Sequence, residues 1–240
     1  MTWISYAQNF EDVILMRALG HMHQGFYIDV GAQDPSIDSV SRAFYERGWR
    51  GIHVEPVPFY AESLRRERPG DLVVEAVLGV RAGRVGFHEF SQTGLSTAVV
   101  EIAQAHIMNG FSSNVVQVEQ KTLSSIFDLA VGQCAHWLKI DVEGSETSVL
   151  KGWLSHASRP WVVVVESTFP LSQRPTHLQW EGYLSRRGYS MVYFDGLNRF
   201  YLHSDHCELR HHFRHGPCVF DDFALSGLAS APFCLRPRIN

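Results

Sequence analysis

Residues 26–34 read FYIDVGAQD, an apolar strand that ends near Asp29 and turns at Gly31. A strand that enters a helix through a glycine turn is typical of nucleotide-binding α/β folds. The later glycines of a dinucleotide fingerprint are absent, because Gln33 and Asp34 follow. A carboxylate here would repel a pyrophosphate and attract an ammonium group. The stretch therefore favours S-adenosylmethionine (SAM) over NAD as the ligand. The alternative interpretation is a buried strand followed by an ordinary turn aspartate, with no ligand.

Length and charge restrict the kind of protein. With 240 residues, 45% of them hydrophobic, we expect a single domain over 1–240, with a core at about 5–202 and an extension at 203–240. The net charge of -4 provides no broad positive field for a phosphate backbone, so no nucleic-acid partner is expected. The basic patch Arg65, Arg66 and Arg68 is interpreted as the solvated end of a helix.

The cysteines and the hydropathy pattern favour a cytoplasmic protein. The cysteines are too few and too widely spaced for a disulfide framework or a CxxC site, which indicates reduced thiols; they are Cys134, Cys207, Cys218 and Cys234. The amino-terminal stretch has no basic segment followed by a long apolar run, and no stretch approaches the ~20 apolar residues of a membrane span. We therefore expect no integral membrane segment.

The apolar periodicity alternates between strands and helices. An amphipathic helix is predicted over 5–19. Strands are predicted at 26–30, 51–55, 72–78, 136–140, 161–166 and 190–194, and helices near 37–47, 57–67, 145–153 and 176–187. This order predicts an α/β fold with a mostly parallel sheet and helices on both faces. The segment 79–125 reads as an insertion of two exposed strands, 84–90 and 115–120, around a loop with one helix.

Acidic residues end several of the predicted strands. Glu55 ends the second strand, where a Rossmann-type sheet places an acid for ribose hydroxyls. In HWLKIDVEGSE, residues 136–146, charges alternate at three positions, Lys139, Asp141 and Glu143. With Glu166, four strands would bring Asp29, Glu55, Asp141 and Glu166 to one edge of the sheet. A structural pair of Lys139 with Asp141, capping the next helix with Ser145, is the alternative for the third strand.

Several motifs of the chain resemble those of a known family. The motifs that carry the resemblance are SYAQNFEDVIL, FYIDVGAQD, HVEP, GLST, TLSSI, LKIDVEGSETSVLKG, VVVVEST and FDGLNRFYL. In order and spacing they resemble the FkbM family of SAM-dependent methyltransferases, over roughly residues 5–202. The resemblance implies a class I Rossmann-like fold with seven strands, the last antiparallel, and O-methylation of a hydroxyl on a sugar or other natural product. It is closest to members encoded with polysaccharide biosynthesis, which share a motif like VFDDF at 219–223.

The resemblance also implies a cosubstrate site. Asp29, Gly31 and Glu55 would hold SAM, with S-adenosylhomocysteine (SAH) as the product. Gln8 and Glu11 of the first helix would close over it. The complete expected site comprises Gln8, Glu11, Asp29, Gly31, Ala32, Glu55, Pro56, Ala76 and Asp141. Gln33 stands where the family often has asparagine, which affects the contacts of that loop.

Methyl transfer to oxygen needs an aligned acceptor and a group that removes its proton. Asp141 and Glu166 are the expected bases, and Lys139 either orients Asp141 or acts as the base itself. Alternatively, Asp141 and Glu166 hold Mg²⁺, which lowers the pKa of the acceptor hydroxyl. The expected partner is a saccharide or glycan-linked acceptor, and a homodimer is left open.

Three other hypotheses stay open. A nicotinamide-dependent oxidoreductase could use the same sheet, and a non-catalytic glycan- or partner-binding protein could keep the fold. The histidines of the carboxyl segment suggest zinc, although their spacing fits no single geometry and surface histidines are favoured; they are His203, His206, His211, His212 and His215. Aromatic residues that could form a sugar platform are explained equally well as core, and none is assigned; they are Trp49, Trp153, Trp180, Tyr193 and Tyr201.

Overall fold

The computed structural model describes residues 2–91, 93–130 and 132–230. The strands are β1 (Trp3–Ser5), β2 (Phe26–Val30), β3 (Arg50–Val54), β4 (Leu72–Val74), β5 (Val77–Leu78), β6 (Gly83–Glu89), β7 (Asn114–Lys121), β8 (Trp137–Ile140), β9 (Val162–Glu166), β10 (Tyr189–Phe194), β11 (Asn198–His203) and β12 (Phe223–Leu225). The α-helices are α1 (Glu11–Leu19), α2 (Arg42–Glu46), α3 (Pro58–Glu67), α4 (Val100–Met108), α5 (Leu123–Leu129), α6 (Glu146–Lys151) and α7 (Glu181–Ser185). Three 3₁₀ segments cover His177–Gln179, Ser204–Phe213 and Val219–Asp221.

Seven strands form the central sheet in the order β10-β11-β9-β8-β2-β3-β4. The pairs from β9 to β4 are parallel, and β11 runs antiparallel to both of its neighbours. The predicted α/β fold, with a mostly parallel seven-stranded sheet and an antiparallel last strand, is therefore confirmed. Strands β8, β2 and β3 lie in the interior of the sheet, so their carboxyl ends face one crevice.

Side chains alternate between two apolar layers on opposite faces of this sheet. Ile28 and Val30 of β2 pack with α5, α6 and α7, whereas Tyr27 packs with α1 and α2 on the other face. Since successive residues of a strand point to opposite faces, an unbroken apolar run is the pattern that a strand covered on both sides requires. The helices on both faces confirm this part of the prediction.

The predicted helix over 5–19 is wrong in its first part. Residues Trp3–Ser5 form a strand that pairs with β12, and α1 begins only at Glu11. The buried carboxylate of Asp12 accepts hydrogen bonds from Ser5 Oγ at 2.7 Å, Tyr6 N at 2.8 Å and Ala7 N at 3.2 Å. These backbone N–H groups are satisfied outside a helix, because a side chain replaces the carbonyl partners that a helical turn would supply. Gln8 consequently lies in the loop before α1.

The predicted strand at 72–78 divides into two short strands. β4 ends the central sheet, and β5 joins β7 and β6 in a separate three-stranded sheet. Ala76, fully buried between the two strands, marks the turn. Helix α4 lies between β6 and β7 in the sequence, so the predicted insertion of two strands and one helix is present.

The segment after β11 packs against the amino-terminal part of the chain. β12 pairs in parallel with β1, and Leu209 and Phe213 are buried beside α1. None of the helices in the described ranges is long and apolar enough to cross a membrane. Cys134, Cys207 and Cys218 are free thiols, and Cys234 lies outside the described residues.

Candidate functional site

A cavity of about 530 Å³ opens at the carboxyl ends of the parallel strands. Glu166, Asp141, Asp29 and Glu55 line it, and they follow or end β9, β8, β2 and β3, which are consecutive neighbours in the sheet. The other residues expected at the site also line this cavity; they are Gln8, Glu11, Gly31, Ala32, Pro56, Ala76 and Lys139. The topology therefore brings every sequence-predicted site residue to one crevice.

Gly31 sits where β2 approaches the chain beyond β8. Its φ of 82° lies in the left-handed region, and its N–H donates to the carbonyl of Val54 at 2.9 Å. A Cβ placed on Gly31 would lie 1.7 Å from the carbonyl oxygen of Asp141, which is backbone and cannot rotate away. Only glycine fits, because any side chain would overlap the backbone of Asp141.

Glu55 is a buried carboxylate at the end of β3. Its two oxygens accept hydrogen bonds from Gln33 N and Val57 N, both at 2.8 Å. Burial raises the pKa of Glu55 to about 7, against the opposing effect of these two donors. The carboxylate therefore ties the loop after β2 to the start of α3. Each oxygen keeps a second lone pair for a ligand hydroxyl.

Asp29 is held from behind by a buried arginine. Its carboxylate accepts a hydrogen bond from Ser41 Oγ at 2.7 Å, and Arg68 donates to the same Ser41 oxygen at 2.6 Å. Arg68 has no exposed surface and also donates to Ser39 Oγ at 2.6 Å. The interpretation of Arg68 as a solvated helix end is therefore wrong. Its guanidinium fixes the loop over Asp29, which a surface position could not do.

Lys139 and Asp141 form an ion pair, with Nζ and Oδ2 separated by 2.5 Å. Burial opposes the charge of Lys139, but Asp141, Glu11 and Asp29 together raise its pKa. The side chain stays an ammonium, which favours the orienting role over that of a base. Ser145 makes no capping hydrogen bond to α6, so that part of the structural alternative is wrong.

Three carboxylates meet beside this ion pair. Asp141, Glu143 and Glu166 each place an oxygen within 4.8 Å of the others. Glu166 is only 7% exposed, and its Oε2 has no hydrogen-bond partner. Burial, and then the neighbouring acids, raise the pKa values of Glu143 and Glu166 well above the usual range. Glu143 is not among the predicted site residues, although the alternating charges in the sequence include it.

The loop before α1 and the start of α1 form one wall of the cavity. Glu11 accepts hydrogen bonds from Asn198 Nδ2 and from Asn9 N, both at 2.9 Å. Burial, followed by the charge of Asp195, raises the pKa of Glu11 to about 8. Gln8 Nε2 donates to Ser230 Oγ at 3.2 Å, so the wall also contacts the carboxyl-terminal segment.

Two loops that were not among the predicted site residues complete the lining of the cavity. Residues 93–96 of the insertion and Leu171 and Ser172 after β9 face the cavity. The GLST motif at 94–97 is the signal that could have identified the first of these loops. The five aromatic candidates are absent from the lining, and four of them, Trp49, Trp153, Trp180 and Tyr201, are fully buried core residues.

The histidines after β11 do not gather into a metal site in the described part of the chain. There, the group with suitably placed ligand atoms is Asp141, Glu143 and Glu166. The rings of His211 and His212 are tilted by 39° to each other with centroids 3.9 Å apart, and both side chains are partly or fully exposed. The interpretation as surface or partly buried histidines is favoured over zinc.

The sheet order is consistent with the class I methyltransferase fold. The model of the methyltransferase FkbM domain family matches residues 29–191. The chain belongs to this family, the same SAM-dependent methyltransferases that its motifs resemble. No curated protein matches the chain in sequence.

One solved structure with a similar outline is the TehB-like SAM-dependent methyltransferase from Corynebacterium glutamicum. The match covers 80% of this chain and 87% of that chain, with a TM-score of 0.43 and 8% sequence identity. A similarity of that size supports no conclusion about this chain.

Proposed function

We propose that the protein is a SAM-dependent O-methyltransferase that acts on a hydroxyl of a saccharide or glycan-linked acceptor in polysaccharide biosynthesis. The observation that carries the proposal is the row of four acids from adjacent strands along one cavity. Such a row suits a cosubstrate with positive charges and disfavours one with phosphates. The cavity volume is also within the range of small-molecule sites.

The chemistry of the cavity residues suits SAM. Gly31 has no side chain, so the backbone of the turn after β2 is open to a ligand. Glu55 would accept hydrogen bonds from the ribose hydroxyls, and Asp29 would face the ammonium group. Gln8 and Glu11 would cover the bound molecule from the side of α1. When bound, SAM supplies the methyl group on a sulfonium.

Glu166 is the proposed base for the acceptor hydroxyl. Its carboxylate is buried at the cavity, and its Oε2 has no partner that would have to be displaced. Asp141 is held by Lys139, so we assign it a positioning role beside the acceptor. Orientation of the reactants can contribute ~7 to 11 kcal/mol of the barrier, and proton removal by a placed base about 10²- to 10⁴-fold in rate.

A polyhydroxylated acceptor matches the rim of the cavity next to these acids. Thr168, Ser172 and Ser145 supply hydroxyl groups there, and Leu171 supplies an apolar surface. Sugars need polar partners at their rim and an apolar surface for their C–H faces.

Calorimetry and mass spectrometry test the proposal together. We expect wild-type protein to bind SAM and SAH but not NAD, and glycans from cells that lack the protein to be lighter by one CH₂ group per site. Glu166→Gln should keep SAH binding and lose about 10²- to 10⁴-fold in kcat. The matched control is Glu101→Gln, an exposed carboxylate on α4, which should keep full activity.

The outcomes separate the competing functions. Binding of NAD in place of SAH would support the oxidoreductase. SAH binding with unchanged glycan masses and no turnover on any saccharide would support a non-catalytic binding protein. Either result would contradict the proposed function.

A further inference from the structure

The carboxylates of Asp141, Glu143 and Glu166 come together from two adjacent strand ends. Asp141 and Glu143 follow β8, and Glu166 ends β9. One oxygen from each lies within 4.8 Å of the other two. The turn after β8 produces this arrangement, because Glu143 adopts a φ of 49° and Gly144 one of 95°. A non-glycine residue in this region is uncommon, so the placement of Glu143 has an energetic cost.

Glu166 gives independent evidence that a ligand is needed. Its side chain is more than nine-tenths buried, and its Oε2 has neither a hydrogen-bond partner nor access to solvent. An unsatisfied carboxylate oxygen in this position is costly, since buried charges in proteins are paired or bound to metals. A cation in the cavity would satisfy it directly.

The protein supplies too little positive charge for the three acids. Lys139 contacts Asp141, and within the described residues it is the basic side chain that forms an ion pair with this cluster. Glu146 lies close enough to add further negative charge to Glu143 and Glu166. The local charge is therefore negative by more than one unit when the acids are ionised.

We propose that Asp141, Glu143 and Glu166 form a binding site for a hard divalent cation such as Mg²⁺, Mn²⁺ or Ca²⁺. A donor set made only of carboxylate oxygens suits these ions and not zinc or copper. The three oxygens are near enough for one ion to reach after a small movement of the side chains, since Ca²⁺ binds oxygens at about 2.3 to 2.6 Å and Mg²⁺ at about 2.0 to 2.1 Å.

The role of the ion in catalysis rests on the proposed function, whereas its binding does not. Each carboxylate gives the ion one oxygen, and the open coordination positions remain for water or for the acceptor hydroxyl. An oxygen bound to a divalent cation loses its proton more easily. An acceptor hydroxyl bound to the ion would release its proton to the oxygen of Glu166 that does not hold the ion.

Electron paramagnetic resonance of Mn²⁺ tests the site without any turnover. Full-length protein is dialysed against EDTA, freed of chelator and titrated with MnCl₂, with and without SAH. We expect one saturable Mn²⁺ per chain, displaced by Mg²⁺ or Ca²⁺. Glu143→Gln and Glu166→Gln should each weaken Mn²⁺ binding by at least about tenfold. Glu101→Gln removes an exposed carboxylate elsewhere and should leave binding unchanged.

Two results would overturn the inference. One is the absence of saturable Mn²⁺ binding to wild-type protein in both conditions, a measurement that depends on no variant. The other is Mn²⁺ binding that Glu143→Gln and Glu166→Gln, both folded by circular dichroism, leave intact. Calorimetry with SAH on the same samples keeps the two proposals apart, because SAH binding without Mn²⁺ binding contradicts only the cation site. Mn²⁺ binding without SAH binding contradicts only the proposed cosubstrate.

Discussion

Two separate physical effects require glycine at position 31, and their contributions to stability can be measured separately. Its positive φ disfavours any L side chain, and a Cβ would also overlap the carbonyl oxygen of Asp141. Gly48 has a similar φ of 91°, but a Cβ there would meet nothing within 4 Å. Gly48→Ala should therefore cost only about 1 to 2 kcal/mol of backbone strain. Gly31→Ala should cost several times as much, or prevent folding.

Urea unfolding of the two alanine variants gives this comparison. We expect a clearly lower unfolding midpoint for Gly31→Ala than for Gly48→Ala, together with loss of SAH binding. Equal losses of stability would mean that the close approach of Gly31 to Asp141 does not exist.

The buried acid Glu55 makes stability depend on pH. Its pKa is about 7 in the folded protein and near 4.5 in the unfolded chain, so the folded state binds more protons between these values. Stability is then highest below about pH 4.5 with respect to this group, and falls as the pH rises through about 7. Glu55→Gln removes the titration and should flatten the fall in the free energy of unfolding between pH 5 and about 8.

The measurement is the slope of that free energy against pH, obtained by urea unfolding. Because the glutamine amide faces two backbone donors, the variant is expected to be less stable at every pH, and only the slope is diagnostic. Parallel curves for the two proteins would contradict a raised pKa at Glu55.

At the scale of residues, the sequence predicts the acids better than their partners. Asp29, Glu55, Asp141 and Glu166 stand out because each follows an apolar strand, and parallel strands end at one edge. The contact of Arg68 with Ser41 joins residues far apart in the chain, and no local pattern indicates it. The same holds for Glu11 with Asn198, which join the first helix to the last strand of the sheet.

Side-chain contacts support the pairing of β1 with β12, and those of Arg17 are among them. Arg17 on α1 forms a two-pronged ion pair with Asp221, with both N–O distances 2.7 Å. It also donates to the carbonyls of His215 at 2.8 Å and of Gly216 at 2.9 Å. We expect Arg17→Ala to cost about 2 to 3 kcal/mol, since several acceptors lose a charged donor together. Arg17→Lys should not restore the lost stability, because lysine lacks the planar guanidinium group that donates to several acceptors at once.

Arg65→Ala is the matched control for this prediction. Arg65 pairs with Glu75 on the surface, where such pairs are worth only ~0 to 1 kcal/mol. Chemical denaturation should thus show a larger loss of stability for Arg17→Ala than for Arg65→Ala. Calorimetry should also show weaker SAH binding for Arg17→Ala, because β1 leads into the loop that carries Gln8. Equal stability of both variants, with unchanged SAH binding, would contradict the proposed contribution of the Arg17 contacts.

Strands with strong apolar runs are predictable from the sequence. Element boundaries that are set by side chains hydrogen-bonding to the backbone are not. β2 has the predicted bounds, and β3, β8, β9 and β10 differ from theirs by one residue at one or both ends. The first helix starts late because Asp12 accepts hydrogen bonds from the N–H groups of Tyr6 and Ala7, which apolar periodicity does not indicate. β1 and β12 are three residues long and pair with each other although they lie at opposite ends of the described chain. Neither has a local sequence pattern that would predict a strand.

At the scale of the whole molecule, we propose that the chain folds as one unit that includes the segment after β11. The core residues Leu209 and Phe213 of that segment belong to the same apolar layer as α1 and β9. Unfolding followed by far-ultraviolet circular dichroism and by tryptophan fluorescence should therefore give coincident transitions. SAH should shift both to higher temperature by the same amount. An early transition of the carboxyl-terminal segment alone would show a separate unit.

We propose that the acids of adjacent strands line one cavity for a cationic adenosyl cosubstrate. A crystal structure of the protein grown with SAH tests it most directly. We expect the ribose within hydrogen-bond distance of Glu55, the amino-acid end beside Asp29 and Gly31, and the sulfur directed toward Asp141 and Glu166. Clear density for SAH at any other place, or an empty cavity at saturating SAH, would contradict the account.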